Sequence, residues 1–213
     1  MVECAKNAGT YVTAHAYTPE AIRHCIENGC KGIEHGNFLT EETAALMVKH
    51  DAFLTPTLIT YNEMASPRWA GYLPPESQSK NTEVLDAGLN ALKLASDTGV
   101  SICFGTDLLG PLGAAQTHEF SLRAKVLSSI EVLRSATVNP ARMFGKADTL
   151  GQIADGFEAD VLFLSADPLE DVTILDQPEK FVKGVMKEGR IYKSRSKALD
   201  EDGQIPVRIM SSL

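Results

Sequence analysis

Two rhythms of apolar and polar residues alternate along the first two thirds of the chain. Short apolar runs end on a small or polar residue. Each is followed by a stretch in which apolar residues return every three or four positions. The first rhythm predicts strands buried on both faces, and the second predicts amphipathic helices. Strands are expected at Tyr11–His15, Gly32–Gly36, Ala52–Leu58 and Val100–Phe104. Residues 2–8 read as the last turns of a helix ended by Gly9. Thr18-Pro19-Glu20 opens a second helix, since Thr caps well and Pro suits the first helical position. Ala21, Ile22, Cys25 and Ile26 form its apolar stripe, and Gly29 ends it. A third starts at Thr40-Glu41-Glu42, with two acids near the positive end of its dipole. A fourth is expected over Glu83–Asp97, and Gly99 stops it. Gln116–Leu127 follows, and then a Ser128–Glu131 capping box opens a helix that runs to Asn139-Pro140. A short helix then ends near Gly145. Ile59–Ser77, with Tyr61, Trp69, Tyr72 and Pro74-Pro75, reads as a long loop serving as a lid.

The pattern changes near residue 149. Gly151–Ile153, Ala159–Leu164 and Phe181–Tyr192 read as short strands, separated by the turn signals Asp155-Gly156, Asp167-Pro168 and Glu188-Gly189. The expected organisation is an α/β unit over 1–148, a small β segment over 149–193 and a tail over 194–213. Successive strand–helix units build a parallel sheet. Four units are half of what a (β/α)₈ barrel needs.

Composition narrows the function classes. A formal charge of -8 over 213 residues argues against a nucleic-acid or anionic-membrane surface. No apolar run reaches the ~18 residues of a membrane span. The first residues lack the basic flank and apolar core of a signal peptide. Cys4, Cys25, Cys30 and Cys103 show no CxxC spacing. They read as free thiols in a reducing compartment, which points to the cytoplasm.

The candidate chemistry sits at strand ends. The first strand finishes on His15, the second on His35, and the fourth turns through Gly105-Thr106 onto Asp107. In an α/β barrel the C-terminal strand ends form the catalytic rim. Two imidazoles and a carboxylate there suit a zinc site with an open position for water. An Asp in such a site can also carry a proton from that water to a leaving amine. The plainer readings are a structural role for each His and a turn-capping role for Asp107. His24 reads as a partly exposed helix residue, and His50 as a cation at a helix C-terminus. His118, after the Gly-rich loop 109–113, is a candidate substrate contact. Glu34 points to the face opposite His35.

Taken together, these segments resemble the metal-dependent amidohydrolase superfamily. The resemblance rests on Thr-Ala-His15-Ala, Gly-Ile-Glu-His35-Gly, Thr55-Pro-Thr-Leu58 and Phe-Gly-Thr-Asp107. Further segments that fit are Ala136-Thr-Val-Asn-Pro-Ala141, Leu150-Gly-Gln-Ile153, Gly156-Phe-Glu-Ala-Asp160 and Val185-Met-Lys-Glu-Gly-Arg190. The branch it most resembles holds imidazolonepropionase-like, Xaa-Pro-dipeptidase-like and ochratoxinase-type amidases. The resemblance implies a (β/α)₈ barrel carrying one or two divalent metal ions, usually zinc. His15 would be the strand-five ligand and His35 the strand-six ligand. Asp107 would be the strand-eight ligand and proton shuttle. The implied reaction is attack of a metal-activated hydroxide on the carbon–nitrogen bond of a small amide or dipeptide-like substrate. The β segment would be part of a β-sandwich domain. The family's strand-one His-x-His pair and strand-four lysine have no counterpart here. The chain therefore resembles a C-terminal half, strands five to eight, expected to have little activity alone. A true start upstream would leave secretion open. Two other readings stand beside this one: a non-catalytic half-barrel that binds a partner, and a phosphoesterase of the same superfamily. Open sheet edges would also favour a homo-oligomer.

Overall fold

The computed structural model describes residues 1–199. Helix α1 (Val2–Asn7) leads to β1 (Thr13–Ala16), α2 (Pro19–Glu27), β2 (Gly32–His35), α3 (Glu41–Lys49) and β3 (Phe53–Thr55). Then come α4 (Leu58–Met64), a 3₁₀ turn at Pro67–Trp69, α5 (Pro75–Thr98) and β4 (Ser101–Ile102). A 3₁₀ turn at Gly110–Ala115 precedes α6 (His118–Arg123), α7 (Ser129–Ala136) and α8 (Val138–Met143). The last elements are β5 (Val161–Leu164), a 3₁₀ turn at Val172–Asp176, α9 (Pro178–Phe181), β6 (Val182–Lys187) and β7 (Arg190–Ser194).

Local chemistry sets these boundaries. The Thr18 hydroxyl accepts from the Ala21 N–H, and Pro19 takes the first helical position of α2. Thr40 and Thr43 cap α3 reciprocally. Gly99, at φ 82°, ends α5 in the left-handed conformation that glycine adopts without strain.

The first four strands form one parallel sheet in the order β1-β2-β3-β4. Neighbours in the sheet are also neighbours in sequence, as in an arc of a barrel. A doubly wound sheet would reverse direction at its centre. Ile33, Leu54 and Ile102 are almost fully enclosed. Ile22 and Ile26 of α2, Ala44 and Met47 of α3, Leu92 and Ala95 of α5 and Val132 of α7 belong to the same core. β5, β6 and β7 form a separate antiparallel sheet. Between β5 and β6, the Val172–Asp176 turn inserts Val172, Ile174 and Leu175 into the core of the parallel unit.

The structure corrects several expectations. Residues 59–77 are not an open loop. α4 buries Leu58, Ile59, Thr60, Tyr61 and Glu63, so the first part of this stretch is packed scaffold, whereas Trp69 is half-buried and Tyr72 is exposed. α5 begins at Pro75, where the missing N–H costs nothing. β3 stops at Thr55, and α6 spans only His118–Arg123. Gly151–Ile153 is not a strand. Gly151 sits at φ 84°, and a Cβ there would lie 2.7 Å from the Thr137 carbonyl oxygen. The tail expected from residue 194 starts at the end of β7, and residues 200–213 lie outside the described residues.

The Ser128–Glu131 capping box forms as expected. The Ser128 N–H donates to Glu131 Oε2 at 2.8 Å, and the hydroxyls of Ser128 and Ser96 donate to the same carboxylate. These bonds, the Ser128 hydroxyl first, hold Glu131 below the usual carboxylate range. Its stabilisation is therefore full above the unfolded-state pKa and fades as pH falls through the lower folded value. Glu131→Gln should cost about 1 kcal/mol at neutral pH. It should cost little once the carboxylate is protonated in acid. Thermal melts of both proteins at the two pH values check this.

Candidate active site

β1 and β2 pair so that Ala16 lies opposite His35. That register sets His15 and His35 on neighbouring strand ends. His15 Nδ1 and His35 Nε2 are 2.8 Å apart. The His35 ring is 4 % exposed, whereas His15 is open to solvent. On its other side, His35 Nδ1 meets Thr57 Oγ1 at 2.8 Å. With the proton on Nδ1 donated to Thr57, Nε2 keeps its lone pair, which faces His15 Nδ1. A hydroxyl partner that fixes the tautomer in this way is what a metal-binding imidazole needs. Burial keeps the His35 imidazole below its ordinary pKa. The Asp107 carboxylate works against that shift, His15 adds to it, and Glu34 opposes it.

Backbone strain marks the same places. Among the described residues, four non-glycine residues have positive φ: His35 at 77°, Asp51 at 50°, Asp107 at 48° and Glu188 at 51°. Glu188 belongs, with Gly189, to the two-residue turn between β6 and β7, where positive φ is required. Asp51 follows the C-terminus of α3, another ordinary place for it. His35 stands instead at the end of a parallel strand, and Asp107 lies in the loop that follows β4, five residues past its end at Ile102. Such strain costs on the order of 1 kcal/mol or more and gathers at functional sites. Gly36 continues the turn at φ 64°, and a Cβ there would lie 2.5 Å from Leu54 Cδ1. A Cβ on Gly105 would meet Thr55 Cγ2 at 2.6 Å, so β3 and the segment leading to Asp107 approach closely.

Three further groups border the pair, and strand-end reasoning did not single them out. Tyr17 stacks on the His35 ring, with centroids 4.6 Å apart and planes inclined by 16°. The Tyr61 hydroxyl donates to the Tyr17 hydroxyl at 3.0 Å. Burial raises the Tyr61 pKa, which keeps it a neutral donor. Thr57 completes the set. Tyr17 was legible in principle, since it follows His15 by two residues, the strand repeat. Thr57 and Tyr61 depend on α4, which the pattern did not reveal.

His15 and His35 are thus brought together, and Asp107 lies close enough to act on the charge of His35. Among the described residues, no three His, Cys, Asp or Glu side chains are grouped so as to hold an ion by themselves. Two imidazoles on a tetrahedral zinc keep their nitrogens about 3.3 Å apart. From 2.8 Å the rings need only separate by about half an ångström, so the donor pair fits such an ion. His118 makes its contacts elsewhere. Its Nδ1 lies 3.6 Å from Glu63 and its Nε2 3.6 Å from Asp176, and it bridges α4 to the Val172–Asp176 turn. No helix among the described residues is long and apolar enough to cross a membrane.

Comparison with known proteins bears on the family and the fold. The amidohydrolase family model matches residues 1–192. Ochratoxinase of Aspergillus niger is 31% identical over 194 residues, which cover 91% of this chain and 40% of that protein. A crystal structure of an amidohydrolase is 44% identical with a TM-score of 0.86, covering 91% of this chain and 47% of that one. A prolidase complexed with N-methylphosphonate-L-proline is 41% identical, also at 0.86, covering 91% and 48%. The chain spans less than half the length of each of these proteins. Because the family model matches residues 1–192, a span that starts before α1, ends within β7 and takes in both sheets, the chain belongs to the amidohydrolase family.

Proposed function

We propose that this chain supplies one arc of the metal-binding rim of a hydrolase that cleaves carbon–nitrogen bonds in small amide or dipeptide-like substrates. The observation that carries this reading is the His15–His35 pair, with two ring nitrogens 2.8 Å apart on adjacent strand ends. The names of the similar proteins, an ochratoxinase and a prolidase, support the substrate class. β1 to β4 correspond, on this reading, to strands five to eight of a (β/α)₈ barrel. The β5-β6-β7 sheet is part of a β-sandwich, with the division near residue 149 and a tail after 193. Further ligands come from outside these four strands.

His15, His35 and Asp107 would hold a divalent cation, and zinc suits two imidazoles with a carboxylate. When bound, such an ion lowers the pKa of a water and polarises a carbonyl. The chain's own groups do the rest. The exposed Asp107 carboxylate takes a proton from the attacking water. It gives that proton to the amine nitrogen as the carbon–nitrogen bond breaks. Tyr17 accepts from Tyr61 and so keeps its own hydroxyl hydrogen for the substrate's carbonyl oxygen. Thr57 holds the His35 tautomer. His118, half-exposed between Glu63 and Asp176, is kept as a candidate substrate contact.

Calorimetric titration of the full chain with zinc should show saturable binding that His15→Ala and His35→Ala each abolish. A panel of N-acyl amino acids and Xaa-Pro dipeptides then tests turnover in the protein that also carries the further ligands. Zinc binding that survives both substitutions would sink this reading.

A further inference from the structure

Helix α6 carries two charged residues that reach beneath the rim. Glu119 and Arg123 are both fully buried, and their i, i+4 spacing sets them on one helix face. Arg123 Nε donates to Glu119 Oε1 at 2.6 Å. Its Nη1 donates to the Cys103 carbonyl at 3.1 Å and to Ser135 Oγ at 3.2 Å. Its Nη2 donates to the Pro56 carbonyl at 2.8 Å. The guanidinium also lies 4.6 Å from the centre of the Phe104 ring. The second oxygen of Glu119 accepts from the Ile59 N–H at 2.7 Å.

The anchored backbone groups stand next to rim elements. Pro56 precedes Thr57, the hydroxyl partner of His35. Ile59 lies in the first turn of α4, which carries Tyr61. Cys103 leads through Gly105 and Thr106 to Asp107. A buried ion pair gains little net stability over apolar residues of the same volume. A planar fork that grips the carbonyls beyond two different strands supplies geometry instead.

We propose that Glu119 and Arg123 form a positioning clamp that fixes the ends of β3 and β4 against each other and so orients the His35 imidazole and the Asp107 loop. The clamp rests on the metal-rim reading for what it serves. Its action on His35 can be read with no metal present.

Two variants of the full chain test it. Arg123→Lys keeps a cation beside Glu119 but cannot grip both carbonyls. Glu119→Gln/Arg123→Met removes both charges and leaves an acceptor for the Ile59 N–H. The readouts are imidazole ¹H–¹⁵N spectra without metal, cobalt titration followed by visible absorption, and urea unfolding. The wild type should show His35 in one tautomer. Both variants should fold, average the His35 tautomers and bind cobalt about 10–100-fold more weakly. Unchanged His35 signals together with cobalt affinity within about twofold of wild type would overturn the clamp. Failure of both variants to fold would overturn it as well, by making the pair a determinant of the fold alone. If the wild type binds no cobalt and the variants still shift the His35 signals, the metal reading fails while the clamp stands.

Discussion

Asp107→Asn should lower turnover of an amide substrate by about 10²–10⁴-fold in the catalytically active protein. The fold should survive. Asp107 is exposed, and its φ of 48° is one that Asn tolerates as readily as Asp. What changes is the chemistry. A carboxamide has nearly the same shape but cannot accept the proton of an attacking water or deliver it to a departing amine. Loss of a negative ligand should also weaken metal binding, so the comparison belongs at saturating metal, with kcat measured apart from KM. A pure ligand role would let excess metal restore the rate, whereas a proton-shuttle role keeps kcat low. Near-normal turnover of Asp107→Asn would remove Asp107 from the mechanism.

Arg123→Met, made alone, should cost about 3–5 kcal/mol. It strands the Glu119 carboxylate in the interior with only backbone N–H partners. Burial already pushes the Glu119 carboxyl up, and Arg123 is the main group opposing that push. Without Arg123 the folded-state pKa rises far above the unfolded one, which lies at about 4.3. The sign follows from proton uptake. Below the unfolded pKa both states hold the proton and the penalty is smallest. It grows as pH rises towards the new folded value. Adding Glu119→Gln should recover about half or more of the loss at neutral pH. Urea unfolding of the three proteins across that pH range checks both statements. A single variant as stable as wild type would show that Glu119 is neutral in the native protein.

Much of the scaffold can be read from residue spacing. Thr18-Pro19, Thr40 and Gly99 announce helix ends through local hydrogen bonding and backbone freedom, and such effects need no tertiary context. The strands that carry His15 and His35 can be read for a similar reason, since an apolar run gives out where a polar side chain appears, although His35 is itself buried and β4 stops at Ile102, short of the expected Phe104 and five residues before Asp107. The stretch after Thr57 resists this treatment. Its helix α4 is buried nearly all round, so no polar face gives it away, and Pro74-Pro75 mimics a loop while starting α5. Thr57, Tyr61 and the Glu119–Arg123 clamp were hidden with it. Each owes its position to a partner at least 20 residues away in the chain: His35 for Thr57, Tyr17 for Tyr61, and Pro56, Ile59 and Cys103 for the clamp. Glu119 and Arg123 look like an ordinary surface pair by spacing, and only burial distinguishes them.

The Val172–Asp176 turn places three side chains of the later segment inside the core of the earlier one. The small antiparallel sheet is therefore not a cassette that evolution or an engineer can exchange freely. A recombinant crossing over between α8 and β5 would inherit a plug shaped for someone else's socket against α6 and α7. Viable chimaeras of this lineage should carry α6, α7 and the turn from a single parent, with their seams falling upstream of α6 or within the β6–β7 hairpin.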